Sequence, residues 1–452
     1  MTSDPGHSAI AQDDSLLGRW MRIPLYLRIL FALFLGVLVG TGLGALPQRI
    51  EAAGRFVPQI LAALEIPSKL ILRVLGALAP PLILLAVIQA LMKVELPKGS
   101  AVRLISLLLL NTCVAIVIGL LVANVLQPGK WADLRPSDEQ QKALKASPLE
   151  LMLENIPRSL IGPFGDDGKV IGVILWAVAF GIAMRNPRHR EAFGGIIDLA
   201  LETLVTILHW VIEVIPLAVF GVVAATIGVK GFDAFKALGA FVIAVIVALL
   251  LQVVYYLIRI RLGSWVSPLK LLRDMRDPLV MAFSTASSTI TMPVTYEALK
   301  EKVGLRERSA SLGSLVGANF NNDGTALYEA MSALFIAQML GHHLSLTQQL
   351  IVVVTSIVAS VGAAGIPEAG LVTMTLVFKA VGLPTDYIVI LLTVDWFLDR
   401  CRTTVNVLGD VNVSCLLDGH IPQSAEPRPV EVPALDEPVA VAPVTDRSVS
   451  ST

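Results

Sequence analysis

The chain has 452 residues, of which 55% are hydrophobic and 16% charged, and its mean hydropathy is +0.73. A soluble domain carries about 25% charged residues, so this chain has too few charges to cover a globule of its size. The net charge of −1 excludes a basic nucleic-acid surface. The three cysteines have no metal-ligand spacing, which gives no indication of a transition-metal site. The composition therefore predicts a protein that crosses the membrane several times.

Continuous apolar runs mark the predicted membrane-spanning helices in the first part of the chain. A helix needs about 20 apolar residues to cross the hydrocarbon core. The runs are 23–46, 66–92, 104–126, 169–184, 196–228 and 238–258. They do not alternate between polar and apolar residues, which excludes a closed barrel. Basic residues collect in alternate loops between the runs, and this pattern predicts a cytoplasmic N-terminus.

Two apolar segments in the second part of the chain are interrupted by small or hydroxyl-bearing residues. In 271–300 a hydroxyl-rich run ends in Pro293, which predicts a helical hairpin that turns at Ser287 and Ser288 inside the membrane. Non-helical backbone is tolerated there only where protein or a water-filled cavity covers it. In 348–380 glycine and alanine surround the interruption, which indicates a second hairpin whose bare backbone can approach a ligand. A cytoplasmic Ser-rich loop and close packing through small residues are the respective alternatives.

The segment 308–340 carries polar residues that an apolar helix tolerates only when they are paired. Asn321, Asn322 and Asp323 interrupt it, and an aspartate at the centre of a span costs about 2.5–3.5 kcal/mol on translocon scales. Gly324 lets the backbone unwind, and freed carbonyls together with a carboxylate suit a hard cation such as Na⁺. A polar contact that bridges helices is the alternative.

The segment 387–416 presents ionisable groups along one face of a helix. At 3.6 residues per turn, an arc of about 80° contains five of its polar residues. They are Asp395, Asp399, Arg402, Asn406 and Asp410. Asp399 can pair an ammonium, Arg402 can bind a carboxylate in bidentate fashion, and Asn406 can hydrogen-bond a second carboxylate. The face therefore suits a zwitterion with an extra carboxylate, and a structural ladder of salt bridges is the alternative.

These four elements repeat one plan, in which a hairpin precedes a polar helix twice. Such repeats, with the substrate held by broken helices near the middle of the membrane, are typical of secondary transporters. The polar motifs resemble those of the dicarboxylate/amino acid:cation symporter family, and the resemblance covers residues 20–418. The motifs read NNDGTALYE at 321–329, GIP at 365–367 and DRCRTTVNVLGD at 399–410.

The resemblance implies an all-α membrane fold with eight transmembrane helices and two re-entrant helical hairpins, arranged as inverted repeats. It also implies a homotrimer in which a transport core moves like an elevator. We therefore expect a cytoplasmic tail at 1–18 and six transmembrane segments at 19–258, mostly scaffold and trimer contacts. The transport core is expected at 259–418, with the first hairpin, helix 7, the second hairpin and helix 8. Residues 419–452 read as a disordered tail, and 128–168 as an extramembrane segment.

Positions that match the family motifs take the family's roles by resemblance. The substrate is expected to contact Ser287, Ser288, Thr325, Ala364, Gly365, Asp399, Arg402, Thr403 and Asn406. The resemblance implies three places for coupling cations. The first is formed by Asn321, Asn406 and Asp410, the second by Asp323 with Asn111 and Thr112, and the third by the backbone of Ser360, Val361 and Gly362. Glu329 matches the residue that carries a co-transported proton.

Several residues depart from the family pattern, among them Asn111 and Thr112, which stand where threonine and serine line a buried cation site. Asn319 stands where threonine is usual, Asn322 where methionine is usual, and Leu108 where tyrosine is usual. Glu368 occupies a position that is usually glutamine or glycine. The departures leave the number of coupled sodium ions open.

The expected function is uptake of glutamate or aspartate coupled to Na⁺ and/or H⁺, without a bound cofactor. The apolar segments of the sequence contain no recognisable pair of a nucleophile and a base, which disfavours an enzyme. A C4-dicarboxylate symporter of the same fold is one alternative, which Asp399 disfavours because such a substrate has no ammonium. A neutral amino-acid symporter is another, which Arg402 disfavours because such a substrate has no second carboxylate. An anion channel-like protein is the alternative from another class. The expected location is the inner cell membrane. The expected partners are lipid, the acidic amino acid and further copies of the chain.

Overall fold

The computed structural model describes residue 20 and residues 22–49, 53–93, 101–131, 159, 161–162, 170–230, 233–362 and 369–422. Within these residues all regular structure is helical, and no strand occurs among them. The expected N-terminal tail, most of the polar segment 128–168 and the C-terminal residues from 423 onward lie outside the described part of the chain.

The first part of the chain forms long apolar helices. They are α1 Leu25–Arg49, α2 Ala53–Leu64, α3 Ile66–Lys93, α4 Ala101–Leu126, α5 Val170–Ala183, α6 Pro187–Glu213, α7 Ile215–Lys230 and α8 Asp233–Gly263. Among the described residues, five stretches are long and apolar enough to cross a membrane: Leu27–Leu46, Phe56–Gln89, Val102–Trp131, Pro187–Glu213 and Lys236–Gly263. The apolar runs of the first part of the chain are therefore helical, as their composition predicts.

The single span expected at 196–228 is divided into α6 and α7 at Val214. Pro216 has no backbone N–H and cannot extend the hydrogen-bond ladder of α6. The start of α6 is set by Asn186, whose side-chain oxygen accepts a hydrogen bond from the backbone N–H of Arg188 at 3.1 Å. One apolar run thus yields two helices, because composition alone does not show where a proline interrupts the backbone bonding.

The second part of the chain is made of shorter and more interrupted helices. They are α9 Pro268–Asp274, α10 Arg276–Thr285, α11 Ser288–Glu297, α12 Glu307–Ser311, α13 Gly317–Phe320, α14 Asp323–Met339, α15 Leu346–Gly362, α16 Ala369–Ala380 and α17 Ile388–Asp418. Two π-helical stretches, Ala298–Val303 and Leu312–Val316, follow α11 and α12, and 3₁₀ turns occupy Pro128–Trp131 and Thr385–Tyr387. π-Helical turns inside helices are frequent at functional sites.

Helices α10 and α11 pack against each other and are joined by a turn at Ala286 and Ser287. Ala286 adopts the left-handed backbone conformation, with φ of 51°. The hydroxyl of Ser287 then caps α11 by accepting a hydrogen bond from the backbone N–H of Ile290 at 3.2 Å. This turn lies beside Ser288, where the sequence predicts it. Helices α15 and α16 also pack together, while 363–368 between them lie outside the described residues.

The helices form two sets by their packing. In the first set α1 packs on α7, and α3 packs on α5, α6 and α7. The approach of α1 to α7 is close, since a Cβ at Gly40 would lie 2.6 Å from the carbonyl oxygen of Ala224. In the second set α4 packs on α14 and α8 packs on α17. Helices α4 and α8 of the expected scaffold region 19–258 therefore lie against the second part of the chain, and α3 and α7 also contact it through α15, α16 and α17.

Helix α14 lies at the centre of the second set. It contacts α4, α8, α15, α16 and α17, and each of its residues except Gln338 is buried. Its acidic residues are therefore enclosed by other helices and removed from water. The polar groups of the candidate site lie where α14 and α17 meet.

Candidate functional site

Helix α17 carries the five polar residues that the helical period places on one face. Asp395, Asp399, Arg402, Asn406 and Asp410 are all buried, and Arg402 is completely inaccessible. Buried charges at membrane depth are costly unless they are paired and hydrogen-bonded. The partners of each group therefore describe what the site is built to hold.

Arg402 lies at the centre of an ion-paired cluster. Its Nη1 donates to Oδ1 of Asp395 at 3.0 Å, and its Nη2 donates to Oδ1 of Asp399 at 2.7 Å. The guanidinium also lies over the ring of Tyr328, 4.1 Å from the centroid, in a cation–π contact. A Cβ at Gly370 would be 3.1 Å from Nη2, so this glycine lets the start of α16 approach the guanidinium. The Nε of Arg402 is buried without an acceptor among the described residues.

Asn406, one turn beyond Arg402, joins α17 to the start of α14. Its Oδ1 accepts a hydrogen bond from the backbone N–H of Gly324 at 2.8 Å, and its Nδ2 donates to Thr325 at 3.3 Å. A Cβ at Gly324 would lie 2.8 Å from the carbonyl oxygen of Arg402. Thr403 is buried beside these groups. The predicted substrate residues of α14 and α17 are thus brought together.

The first predicted hairpin tip lies within the described residues. Ser287 and Ser288 are both buried, and Ser288 donates from its hydroxyl to the carbonyl oxygen of Ala318 at 3.1 Å. This bond attaches the first tip to α13. Ala364 and Gly365 of the second tip lie outside the described residues.

A cluster of amide and carboxylate oxygens surrounds Asn321. Its Nδ2 donates to Oδ1 of Asp410 at 3.1 Å and approaches the carbonyl oxygen of Asn406 at 3.5 Å. The Oδ1 of Asn321 is buried without a hydrogen-bond donor among the described residues. Asn322 donates to the carbonyl oxygen of Ser360 at 2.9 Å, which brings the end of α15 to the same place. Amide, carbonyl and carboxylate oxygens are the ligands that hard cations prefer.

The predicted positions at the end of α15 are only partly described. Ser360 is buried, and its hydroxyl donates to the carbonyl oxygen of Ile357 at 2.9 Å. Val361 and Gly362 are the last residues of α15. Only the carbonyl of Ser360 is seen to join the polar cluster, through Asn322.

Asp323 lies in a second buried polar cluster, between α14, α4 and α8. Its Oδ1 accepts from the hydroxyl of Thr112 at 2.7 Å, and its Oδ2 accepts from the hydroxyl of Tyr256. Asn111, the neighbour of Thr112, turns its Oδ1 to Arg259, which donates to it. The structure therefore brings Thr112 and Asp323 together, while the side-chain oxygen of Asn111 accepts from Arg259 and its Nδ2 donates to Asn412 at 3.4 Å.

Glu329 is completely buried on α14, where the hydroxyl of Thr373 donates to its Oε1. Its Oε2 has no hydrogen-bond donor among the described residues. Thr373 lies on α16 one turn after Gly370, so Glu329 and Arg402 both face the same short helix. The predicted proton carrier is thus next to the arginine cluster.

Several residues of the site were not among the predicted ones. Asp395 lies on the predicted charged face without a predicted role, and it shares Arg402 with Asp399. Tyr256 and Arg259 belong to a polar stripe in an otherwise apolar helix, with Gln252 one turn before Tyr256. This i, i+4, i+7 spacing is the signal that could have identified them.

A helical membrane protein with ion-paired and amide-rich clusters at the meeting point of broken helices has the architecture of a secondary transporter. Residues 25–420 match the model of the sodium:dicarboxylate symporter family. The chain belongs to this family, which is one of transporters, and it is an integral membrane protein.

The chain is also similar to named excitatory amino acid transporters. It is 37% identical to excitatory amino acid transporter 4 of Mus musculus over 255 residues, covering 54% of this chain and 44% of the relative. It is 38% identical to excitatory amino acid transporter 1 of Bos taurus over 259 residues, covering 54% and 45%. These matches span less than half the length of either relative. The chain is also 29% identical to glt-4 of Caenorhabditis elegans over 445 residues, which covers 85% of this chain and 88% of the relative. The name of glt-4 also refers to a sodium-dependent excitatory amino acid transporter.

Proposed function

We propose that this chain is a secondary active symporter that takes up glutamate or aspartate together with Na⁺ and/or H⁺. The observation that carries the proposal is the completely buried Arg402. Two acidic side chains hold it, and its Nε has no acceptor among the described residues. Guanidinium has five N–H donors, so Arg402 keeps donors for the side-chain carboxylate of an acidic amino acid. The names of the similar proteins support the same substrate class.

The other end of such a substrate has partners in the same cluster. Asp399 is the carboxylate for the ammonium group, and Thr403 and Asn406 follow it on α17 as hydrogen-bonding groups for the α-carboxylate. The substrate would share Arg402 with the two acids that already hold it. Binding therefore exchanges one set of buried charge contacts for another and leaves no charge without a partner.

Two features of the site support cation coupling. The oxygens around Asn321, Asn406 and Asp410 form the place for Na⁺, because one amide oxygen there has no donor among the described residues. Glu329 is the place for a proton, since its second oxygen also has no donor there. Both lie within the same helices as the substrate residues, so substrate and cations would travel together.

The packing of the helices supports a moving core. Helices α4 and α8 pack on α14 and α17, so they would move with the hairpins. Helices α1, α3, α5, α6 and α7 would form the scaffold and the contacts of a homotrimer. In this proposal the core carries its cargo across the inner cell membrane like an elevator, the N-terminus is cytoplasmic, and α10–α11 and α15–α16 are the two re-entrant hairpins.

A C4-dicarboxylate is the second candidate substrate, and one observation favours it. Asp399 disfavours such a substrate only if it would be left without a cation. In the structure Arg402 already pairs with Asp399, so a substrate without an ammonium would not leave this acid uncompensated. A neutral amino acid lacks the carboxylate for Arg402. An anion channel-like protein would not accumulate its substrate against a gradient.

The proposal is tested by uptake into proteoliposomes that contain the purified full-length chain. Radiolabelled L-aspartate, L-glutamate, succinate and L-alanine are each offered under an inward Na⁺ gradient, an inward H⁺ gradient, both, or neither. We expect L-aspartate or L-glutamate to accumulate above the external concentration only with a cation gradient. Accumulation of succinate alone would show that the substrate is a C4-dicarboxylate. Equilibration of a labelled compound with the external solution, without accumulation, would indicate a channel.

A further inference from the structure

Helix α8 carries a stripe of polar residues into the second set of helices. Gln252 and Tyr256 are buried, and Arg259 is half-buried on the same face. Helix α8 packs against both α4 and α14. The stripe therefore lies against the region of Asn111, Thr112 and Asp323, which the family resemblance marks as a cation site.

Protein donors already occupy the oxygens of this region. The two carboxylate oxygens of Asp323 accept hydrogen bonds from Thr112 and from Tyr256. The side-chain oxygen of Asn111 accepts from Arg259, and its backbone oxygen accepts from Gln252 at 3.4 Å. A sodium ion needs several oxygens whose lone pairs are directed at it, and each of these donors takes one of those lone pairs.

A guanidinium also supplies the positive charge that a bound cation would bring. Arg259 lies over the ring of Tyr255 at 5.4 Å from its centroid. It follows Tyr256, which donates to Asp323, by three residues on α8, so the two side chains lie on the same side of the helix. The consecutive residues Asn111 and Thr112 link the arginine to the carboxylate, since one accepts from Arg259 and the other donates to Asp323. Arginine keeps its charge at every physiological pH. A second cation beside it would be repelled at short range.

We propose that Arg259 is the built-in counter-charge of Asp323 and takes the place of one coupled cation. The inference rests on the proposed function, which it deepens by naming the residue that sets the ion count. The guanidinium of Arg259 is covalently part of the protein and is released on neither side of the membrane. It therefore moves out and back with the core, and it adds nothing to the driving force for substrate uptake. Of the three cation places that the resemblance implies, only the two around Asp410 and Ser360 remain. At most two sodium ions then accompany each substrate molecule.

The ion count is measured from the reversal of aspartate flux in proteoliposomes. Valinomycin with equal K⁺ on both sides holds the membrane potential at zero, and the pH is kept equal. For each outside-to-inside Na⁺ ratio, the inside-to-outside aspartate ratio at which net aspartate flux is zero is determined. The logarithm of this aspartate ratio is plotted against the logarithm of the Na⁺ ratio. The slope of the plot is the number of sodium ions transported with each aspartate. We expect a slope of at most two for the wild type, and a slope larger by one for Arg259→Gln.

Two variants serve as matched controls. Arg259→Lys keeps a charge at the same place and is expected to keep the wild-type slope. Arg261→Gln makes the same change at an exposed position on the same helix and is also expected to keep it. A wild-type slope of three, or an unchanged slope in Arg259→Gln, would overturn the inference, and the wild-type measurement decides the matter if that variant does not fold.

A second readout does not depend on transport. The thermal unfolding of the purified full-length chain in detergent is followed while Na⁺ replaces choline at constant ionic strength. Because each additional bound ion steepens the dependence of Tm on the logarithm of its concentration, Arg259→Gln should show a steeper dependence than the wild type and Arg261→Gln. Parallel dependences would contradict the role of Arg259. Failure of the wild type to accumulate aspartate would instead contradict the proposed function, and the unfolding data would still decide the inference.

Discussion

The Nη2 of Arg402 lies 2.7 Å from the Oδ1 of Asp399, three residues earlier on the same helix. The two residues that suit opposite ends of an acidic amino acid are therefore paired with each other. Asp395 holds the other side of the guanidinium at 3.0 Å, so the arginine is shared by two acids. If Arg402 binds the substrate as proposed, its charge is oriented before a substrate arrives, and such preorganisation lowers the cost of binding.

Replacing Arg402 with cysteine should convert the substrate preference from acidic to neutral. The substitution removes the guanidinium that pairs with the side-chain carboxylate of the substrate. It also leaves Asp395 and Asp399 buried, and these two acids repel that carboxylate. Breaking one side of a buried charge pair costs about 2–5 kcal/mol, so aspartate uptake should fall on the order of a hundredfold. Uptake of L-alanine and L-serine should become measurable. Arg402→Lys is the control, since it keeps the charge and should show weakened aspartate uptake without a gain of neutral substrates.

Replacing Asp399 with asparagine should separate the two candidate substrate classes. If Asp399 binds the ammonium, Asp399→Asn loses affinity for aspartate by at least about tenfold, the equivalent of 1.4 kcal/mol. Inhibition by succinate, which has no ammonium, should stay equal or become stronger. Competition for L-aspartate uptake measures both effects. An unchanged apparent affinity for aspartate would remove Asp399 from the ammonium site.

Replacing Asp410 with asparagine should weaken the coupling to sodium. Asp410 accepts a hydrogen bond from Asn321, so its loss removes a negative charge from the candidate cation site. The Na⁺ concentration for half-maximal uptake should rise at least about tenfold. Asp418→Asn is the matched control, because Asp418 ends the same helix but accepts from Trp265 and Arg306. That variant should lose stability and keep the Na⁺ dependence, and the same rise in both variants would refute a specific role for Asp410.

Replacing Glu329 with glutamine should remove the response of uptake to a proton gradient. Glutamine has a similar size and can accept from Thr373, but it cannot release a proton within the transport cycle. The variant should take up aspartate at a rate that does not change when the inside is made alkaline. Exposed Glu307→Gln is the control and should respond as the wild type does. A normal response in Glu329→Gln would assign proton coupling to another group.

Replacing Gly409 with alanine should destabilise the protein through the Asp323 cluster. A Cβ at Gly409 would clash first with Nδ2 of Asn321, and it would also lie 2.9 Å from the hydroxyl of Tyr256 and 3.0 Å from Oδ2 of Asp323. Overpacking of this kind costs about 1–3 kcal/mol and should appear as a lowered Tm in detergent. Gly239→Ala is the control, since a Cβ there meets nothing within 4 Å and should be neutral or stabilising. Equal Tm values for the two variants would show that α17 can move away from Asp323.

The charged face of α17 could be predicted because the helical period alone determines it. The residues from Asp395 to Asp410 need no knowledge of which helix packs on which. The pairing of Asp399 with Arg402 was also accessible, since residues three apart on a helix are neighbours. The salt-bridge ladder given above as the alternative describes this pairing.

The surroundings of Asp323 could not be predicted in the same way. Tyr256 lies 67 residues before it in the chain, and Arg259 and Asn111 are 148 residues apart. Only the packing of α8 against α4 and α14 brings these groups together, and no local pattern in the sequence states which helices will be neighbours. The division of the run 196–228 at Val214 is a smaller case, because Pro216 acts through backbone bonding that hydropathy does not record.

The central claim is that a cation gradient drives an acidic amino acid through the Arg402 cluster. The most direct measurement is the accumulation of radiolabelled L-aspartate in proteoliposomes under an inward Na⁺ gradient, with and without an added H⁺ gradient. We expect the internal concentration to exceed the external one and to fall back to it when ionophores dissipate the gradients. Equilibration of aspartate to the external concentration, regardless of either gradient, would contradict the account.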